Sequence, residues 1–301
     1  MNAAVWISAA RPKTLPAAVA PVLIGTAIAY ADSGSIHAIS LLCALLGAIL
    51  IQIGTNFAND YYDFVKGTDT AERIGPVRAT QAGLVSPSAM RRAFLLLFAL
   101  AMLPGAYIVY RGGWPFVVIG LVSIACGILY TGGPFPLGYL GLGDIFVLVF
   151  FGPVAVGGTY YLHTLRITPE HIGLTPFDVL IAGLAPGLIS VALLTVNNLR
   201  DIEQDRAGRK RTLAVRFGRT FARVEYASCV FLAGVAVPIY FSFASDRSFF
   251  LLVPVCVLAA GHKPLRAVFT QIDGPILNDA LAATGKLLLV FSVVFALGWI
   301  L

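Results

Sequence analysis

Residues 179–205 read VLIAGLAPGLISVALLTVNNLRDIEQD. The first 18 of them, Val179 to Val196, carry no charge. An uncharged apolar run of that length can cross the hydrocarbon core of a bilayer as a helix. It stops abruptly on Asn197-Asn198-Leu199-Arg200-Asp201-Ile202-Glu203-Gln204-Asp205. Acidic residues at the edge of an apolar span are costly, so they call for a partner.

Working outward, comparable apolar windows fall at about 14–31, 38–58, 92–110, 114–131, 144–162, 178–197, 226–244, 248–261 and 285–301. They predict an all-α polytopic membrane bundle of about nine transmembrane helices around a central cavity, with residues 1–301 as a single membrane domain. Composition agrees. Of the 301 residues 58% are hydrophobic and 12% charged, and mean hydropathy is +0.85. A soluble globular chain carries about 25% charged residues. An ordinary cytosolic enzyme is excluded, and so is a nucleic-acid partner, despite a net charge of +6. The N-terminus lacks the basic stretch of a cleavable leader. Cys43, Cys126, Cys229 and Cys256 share no metal-ligand spacing.

Basic residues set the orientation. With nine spans, 18 of the 21 Lys and Arg residues fall in, or within two residues of, the N-terminal segment and the even-numbered loops. The positive-inside bias then places the N-terminus and those loops in the cytoplasm, the C-terminus outside, and the protein in the inner (cytoplasmic) membrane. Trp6, Trp114 and Trp299 near span ends are expected as interfacial anchors. The even loops, about 59–91, 198–225 and 262–284, are also the long ones, so the chemistry is expected on that face.

The window at 38–58 ends much as the one at 178–197 does, in Asn56-Phe57-Ala58-Asn59-Asp60-Tyr61-Tyr62-Asp63, then Lys66, Gly67 and Asp69. Asp60 and Asp63 are spaced i, i+3, and Asp201 and Asp205 i, i+4, so on helices each pair would share a face. Like charges there repel, and a helix C-terminus adds negative potential. Mg2+ suits such clusters, because it takes one or two carboxylates and completes its octahedron with water and phosphate oxygens. Asn56, Asn59, Asn197 and Asn198 supply neutral oxygens. Asn56 and Asn197 are 141 residues apart, as are Asp60 and Asp201, which hints at a duplication facing the clusters across one cavity. Lys66 and Arg78, the latter in a Gly75-Pro76-Val77-Arg78 turn, are cations for a polyanion such as a diphosphate. The run Arg206, Arg209, Lys210, Arg211 reads mainly as positive-inside charge.

A diphosphate site at the mouth of an apolar bundle suggests a lipid diphosphate. Ionisation of an allylic C–O bond would leave a cation that aromatic rings stabilise. Tyr61, Tyr62 and Tyr139 are the tyrosines nearest the motifs.

These two motifs resemble the aspartate-rich motifs of the UbiA superfamily of intramembrane aromatic prenyltransferases. Within it the chain is most similar to the branch that prenylates 1,4-dihydroxy-2-naphthoate. Arg11-Pro12, the Gly-Pro-x-Arg turn at 75–78 and the loop Leu137-Gly138-Tyr139-Leu140-Gly141-Leu142-Gly143-Asp144 extend the likeness along the chain. Much of the superfamily has a third Asp four residues after the second. Here that position is Gly67, and Asp69 follows, the arrangement of the naphthoate branch. The resemblance implies that Asp60, Asp63, Asp201 and Asp205 bind Mg2+ and a polyprenyl diphosphate, assisted by Asn59, Asn197 and Asp69, with Lys66 and Arg78 taking diphosphate charge. The ring would be alkylated at its carboxylated carbon with loss of CO2, giving demethylmenaquinone. The 137–144 loop has no Lys or Arg, so the acceptor carboxylate would turn to Arg11 or Lys13.

Other readings are an acceptor such as 4-hydroxybenzoate or homogentisate, and an ion-coupled secondary transporter. The acidic residues gather at span ends rather than span centres, against a transporter. The Asp-Gly-x-x-Ala-Arg sequence of CDP-alcohol phosphotransferases is absent. His37, His163, His171 and His262 are expected at the surface.

Overall fold

The computed structural model describes residues 2–68, 75, 77–244, 250 and 252–301. Among these the regular elements are all helical. α1 (Ala3–Ala10) leads through a one-turn segment, Pro12–Thr14, into α2 (Pro16–Ser33). α3 (Ala38–Val65), α4 (Pro87–Gly112), α5 (Pro115–Leu129) and α6 (Gly143–Thr164) follow. Then come α7 (Pro176–Arg200), the short α8 (Ile202–Ala207), α9 (Leu213–Ala244), α10 (Leu252–Thr270) and α11 (Gly274–Ile300). Proline opens α2, α4, α5, α7 and α11, where its missing N–H costs nothing. Ser86 caps α4, and Thr175 and Asp178 form a reciprocal capping box on α7.

Among the described residues each apolar window of the sequence falls on a helix, but the long loop expected at about 262–284 is largely helical: α10 runs to Thr270 and α11 begins at Gly274. Seven helices, α2, α3, α4, α6, α7, α9 and α11, are long and apolar enough to cross a membrane. α5 is apolar but has only 15 residues, about 22 Å at 1.5 Å per residue. α10 carries Lys263 and Arg266 around Pro264. α9 likewise starts earlier than its window, at Leu213 rather than 226. Its first half is amphipathic and kinked at Gly218 (φ 85°, ψ 178°): it carries Arg216, Arg219 and Arg223, while Ala214, Ala222 and Tyr226 are buried. These arginines hide that stretch from a hydropathy reading.

The apolar core is divided. Phe57, Met90, Phe94 and Phe98 pack α3 on α4, with Gly54 leaving room for the Phe98 ring. Ile24, Val156, Ile189, Phe291 and Phe295 knit α2, α6, α7 and α11 into a separate cluster. α6 reaches α7 by a break at Gly152 and Pro153. A Cβ on Gly152 would stand 2.7 Å from the Gly183 carbonyl, and one on Gly187 2.6 Å from that of Leu148. Only hydrogen fits at this crossing. A cavity occupies the space between the two packed regions.

Two surface expectations fail away from that cavity. His163 is buried. Its Nδ1 accepts the His37 amide, so Nε2 carries the proton and donates to Thr26 Oγ1 at 3.1 Å. Trp299 is fully buried against Phe241, Phe250 and Phe295 instead of anchoring at an interface. Both residues belong to helix ends that dock against other helices, a tertiary event that a span-by-span reading does not see.

Candidate functional site

The cavity holds about 720 Å3. Along α3 its lining extends from Asp63 back to Ala44, roughly 28 Å of helix at 1.5 Å per residue. Charged and amide side chains from both motifs line it, while Met102, Val109, Leu121, Phe150 and Leu162 are among its apolar walls.

The first motif stays helical to the end of α3, and this decides where its acids point. Asp63 lines the cavity and is 1% exposed. Arg78 Nη2 lies 2.9 Å from its Oδ2, and Lys210 Nζ 3.2 Å from its Oδ1. The Tyr139 hydroxyl donates to the same Oδ1 at 2.8 Å, and Thr68 Oγ1 adds a bond at 3.2 Å. A buried carboxylate is tolerable only when so supplied.

Asp60 is one turn back and does not line the cavity. Its Oδ2 accepts the Ala79 amide at 2.9 Å and its Oδ1 the Thr80 amide at 3.0 Å. It therefore fastens the loop that presents Arg78. Asn59 lines the cavity and accepts the Thr131 hydroxyl at 2.9 Å. Asn56 donates to the Ala10 carbonyl at 2.9 Å and to Thr14 Oγ1 at 3.3 Å. That holds the segment carrying Arg11, whose left-handed backbone (φ 52°) accompanies a side chain lining the cavity. Asp69 lies outside the described residues.

The second motif is built differently. α7 ends at Arg200, Asp201 leaves helical geometry (φ −96°, ψ 10°), and α8 restarts at Ile202. The expected single helix through Asp201 and Asp205 is thus broken at Asp201. Arg200, buried at 4% exposure, grips Asp201 with two bonds of 2.7 and 2.6 Å. It also donates to Asn197 Oδ1 at 2.7 Å and Asn278 Oδ1 at 2.6 Å. Asn197, Asn198, Asp201 and Asp205 all line the cavity. The 141-residue offset joins residues in unlike surroundings, since Asp201 lines the cavity against Arg200 and Asp60 accepts two backbone amides.

The loop after α5 joins the two motifs. Tyr139 lines the cavity, and its ring centroid lies 4.9 Å from the ammonium of Lys66 and 4.9 Å from that of Lys210. Lys66 is exposed, is not among the residues lining the cavity, and donates to the Gly133 carbonyl at 3.0 Å. Desolvation there lowers its pKa from the ordinary lysine value; Asp63 opposes the shift and Lys210 adds to it. Gly141 has φ +72°, and a Cβ there would meet the Arg211 carbonyl at 2.6 Å. The Arg211 amide donates to the Tyr139 carbonyl at 2.8 Å. Lys210 and Arg200 are the cations that the sequence reading passed over. Lys210 sat in a basic run, and Arg200 was quoted within its motif without a role.

Tyr61 and Tyr62 pack on Phe94 and do not line the cavity. Rings that do include Tyr130, Tyr139, Phe116 and Phe146.

The profile of the UbiA prenyltransferase family matches residues 18–275. The chain belongs to the UbiA prenyltransferase family. It is 38% identical to the 1,4-dihydroxy-2-naphthoate octaprenyltransferase of Haemophilus influenzae, over 97% of this chain and 94% of that one. It is also 38% identical to the protein of the same name from Mycobacterium tuberculosis, over 97% and 95%. A UbiA homolog from Archaeoglobus fulgidus bound to GPP and Mg2+ has the same fold, with TM-score 0.69 at 15% identity over 98% of this chain and 99% of that one.

Among the described residues no three acids, histidines or cysteines converge as a ready-made metal cage. The donor chemistry of the family site nevertheless suits Mg2+. Asp63, Asp201, Asp205, Asn59, Asn197 and Asn198 line one cavity, and Mg2+ needs only one or two protein carboxylates beside water and phosphate.

Proposed function

We propose that this UbiA-family protein transfers a polyprenyl group from polyprenyl diphosphate to 1,4-dihydroxy-2-naphthoate, with loss of CO2 and release of diphosphate, to give demethylmenaquinol, the reduced form of demethylmenaquinone. The observation that carries the reading is the sharing of one largely apolar cavity by Asp63, Asp201, Asp205, Arg78 and Lys210.

Asp63, Asp201 and Asp205, with Asn59, Asn197 and Asn198, would hold Mg2+. Asp60, expected as a fourth ligand, holds the loop of Arg78 in this structure. Bound Mg2+ offsets the charge of the diphosphate and improves it as a leaving group. Arg78 and Lys66 add positive charge as the allylic C–O bond ionises. The apolar walls receive the prenyl tail and keep water from the allylic cation, and the cavity rings offer it their faces. Arg11 is the cation placed to receive the acceptor carboxylate. Attack comes from the carboxylated ring carbon, and departure of CO2 restores aromaticity, so no protein base is required. The protein sits in the cytoplasmic membrane with its motifs and N-terminus inside and its C-terminus outside, α5 and α10 completing nine spans.

Membranes containing the protein, one polyprenyl diphosphate, Mg2+ and a set of aromatic acids test this by the mass of the product. A prenylated naphthoquinol lacking the carboxylate is expected, and only with divalent metal. A product that keeps its carboxylate overturns the choice of acceptor. Undiminished product after thorough chelation overturns the role of the metal.

A further inference from the structure

Within the run Arg206, Arg209, Lys210 and Arg211, the three arginines are exposed, but the Lys210 side chain is 15% exposed and lines the cavity. The backbone produces this difference. Arg209 adopts a left-handed conformation (φ 57°), a conformation uncommon for a residue with a side chain. The Lys210 amide then donates to the Asp205 carbonyl, and the Arg211 amide to the Tyr139 carbonyl, each at 2.8 Å. These bonds turn Lys210 inward, over the ring of Tyr139. Its Nζ lies 3.2 Å from Asp63 Oδ1 and 3.8 Å from Asp205 Oδ1. One ammonium thus spans carboxylates from both motifs.

Resting on the function proposed above, we infer that Lys210 is an exchangeable counter-ion. Its ammonium and the divalent cation compete for Asp63 and Asp205, and the ammonium passes to the diphosphate oxygens when the cation takes those carboxylates. Two cations of this kind cannot share the same carboxylate oxygens without strong repulsion. A diphosphate between them removes the conflict, because each then has its own oxygens. Lysine suits the exchange, having a flexible stem and a compact charge with rotatable donors. Arg78 does not, since its loop is fastened through Ala79 and Thr80 to Asp60. By linkage, Lys210 weakens binding of metal alone and strengthens binding of metal with diphosphate.

The test uses the full chain in nanodiscs, with Mn2+ as a spectroscopic probe and inorganic pyrophosphate. In Lys210→Met, Mn2+ alone should bind about tenfold more tightly, while pyrophosphate in the presence of Mn2+ should bind at least about tenfold more weakly. Lys210→Arg, which keeps the charge, should recover most of the pyrophosphate affinity. The wild type gives a measurement free of any folding defect. Acylation of Lys210, followed by mass spectrometry, should rise with Mn2+ alone and fall when pyrophosphate is added. Unchanged or weaker Mn2+ binding in Lys210→Met, or acylation indifferent to Mn2+, overturns the exchange. If that occurs while the wild type still forms the decarboxylated product, the proposed function stands and only the exchange is lost. A wild type that binds neither Mn2+ nor pyrophosphate overturns both.

Discussion

Asp60 and Arg78 are joined through the backbone. The carboxylate of Asp60 accepts the amides of Ala79 and Thr80, the two residues after Arg78, and the Arg78 guanidinium then meets Asp63 at 2.9 Å. The first acid of the motif thus fastens, in this structure, the loop from which Arg78 reaches Asp63. Asp60→Asn keeps one acceptor oxygen but offers an NH2 group where the second amide needs an acceptor. Hydrogen bonds to a charged group contribute about 1.5–3 kcal/mol each. We expect a lowered thermal midpoint and a raised KM for the prenyl diphosphate. In Asp63→Asn we expect kcat itself to fall by about a hundredfold or more. Kinetics and thermal unfolding of both variants check this. A pure kcat loss with unchanged unfolding in Asp60→Asn would show that Asp60 meets the reacting atoms directly.

Tyr139 offers two separable contributions. Its hydroxyl lies 2.8 Å from Asp63 Oδ1 and 2.9 Å from Thr68 Oγ1, while its ring faces the ammonium groups of Lys66 and Lys210. Tyr139→Phe removes the first and keeps the second. One charge-assisted bond corresponds to about a tenfold change or somewhat more, read as a rise in KM for the prenyl diphosphate. Tyr139→Leu removes the ring as well, and the rise should be larger. Identical KM values for the two variants would assign the whole effect to the hydroxyl.

Gly141 and Gly83 form a controlled pair. Both have positive φ, +72° and +70°, but a Cβ at Gly83 meets open space whereas one at Gly141 meets the Arg211 carbonyl at 2.6 Å. Gly83→Ala carries backbone strain alone, about 1–2 kcal/mol. Gly141→Ala adds a collision with main chain that no rotamer change relieves. Its thermal midpoint should fall further than that of Gly83→Ala, and prenyl transfer should weaken as Tyr139 leaves Lys210. Equal midpoints would mean that the loop after α5 moves aside without cost.

The sequence was most readable where chemistry is local. Long uncharged runs located the membrane helices, and Asn-and-Asp endings located both halves of the site, because a polar cluster against an apolar run needs no tertiary information to notice. Asp63, Asp201, Asp205, Asn59, Asn197, Asn198, Arg11, Arg78 and Tyr139 do meet around one cavity. What was not readable depends on partners distant in the chain. The partners of Asp60 are main-chain amides, which leave no trace in side-chain pattern. Lys210 differs from its basic neighbours only through the turn at Arg209. The N-terminal half of α9 escaped because it is rich in arginine. His163 and Trp299 were misplaced for a related reason: their burial comes from docking of helix ends.

The Lys210 bridge and the Arg211–Tyr139 bond tie together three connections that are far apart in the chain: the one that α3 enters at Asp63, the one after α5, and the one between α7 and α9 that contains α8. Their geometry is therefore inherited jointly. A chimera that grafts the stretch after α7 from a distant relative, and leaves the other two connections native, inherits an ammonium aimed for someone else's carboxylates. Segment exchange within this family has to move these three connections as a set.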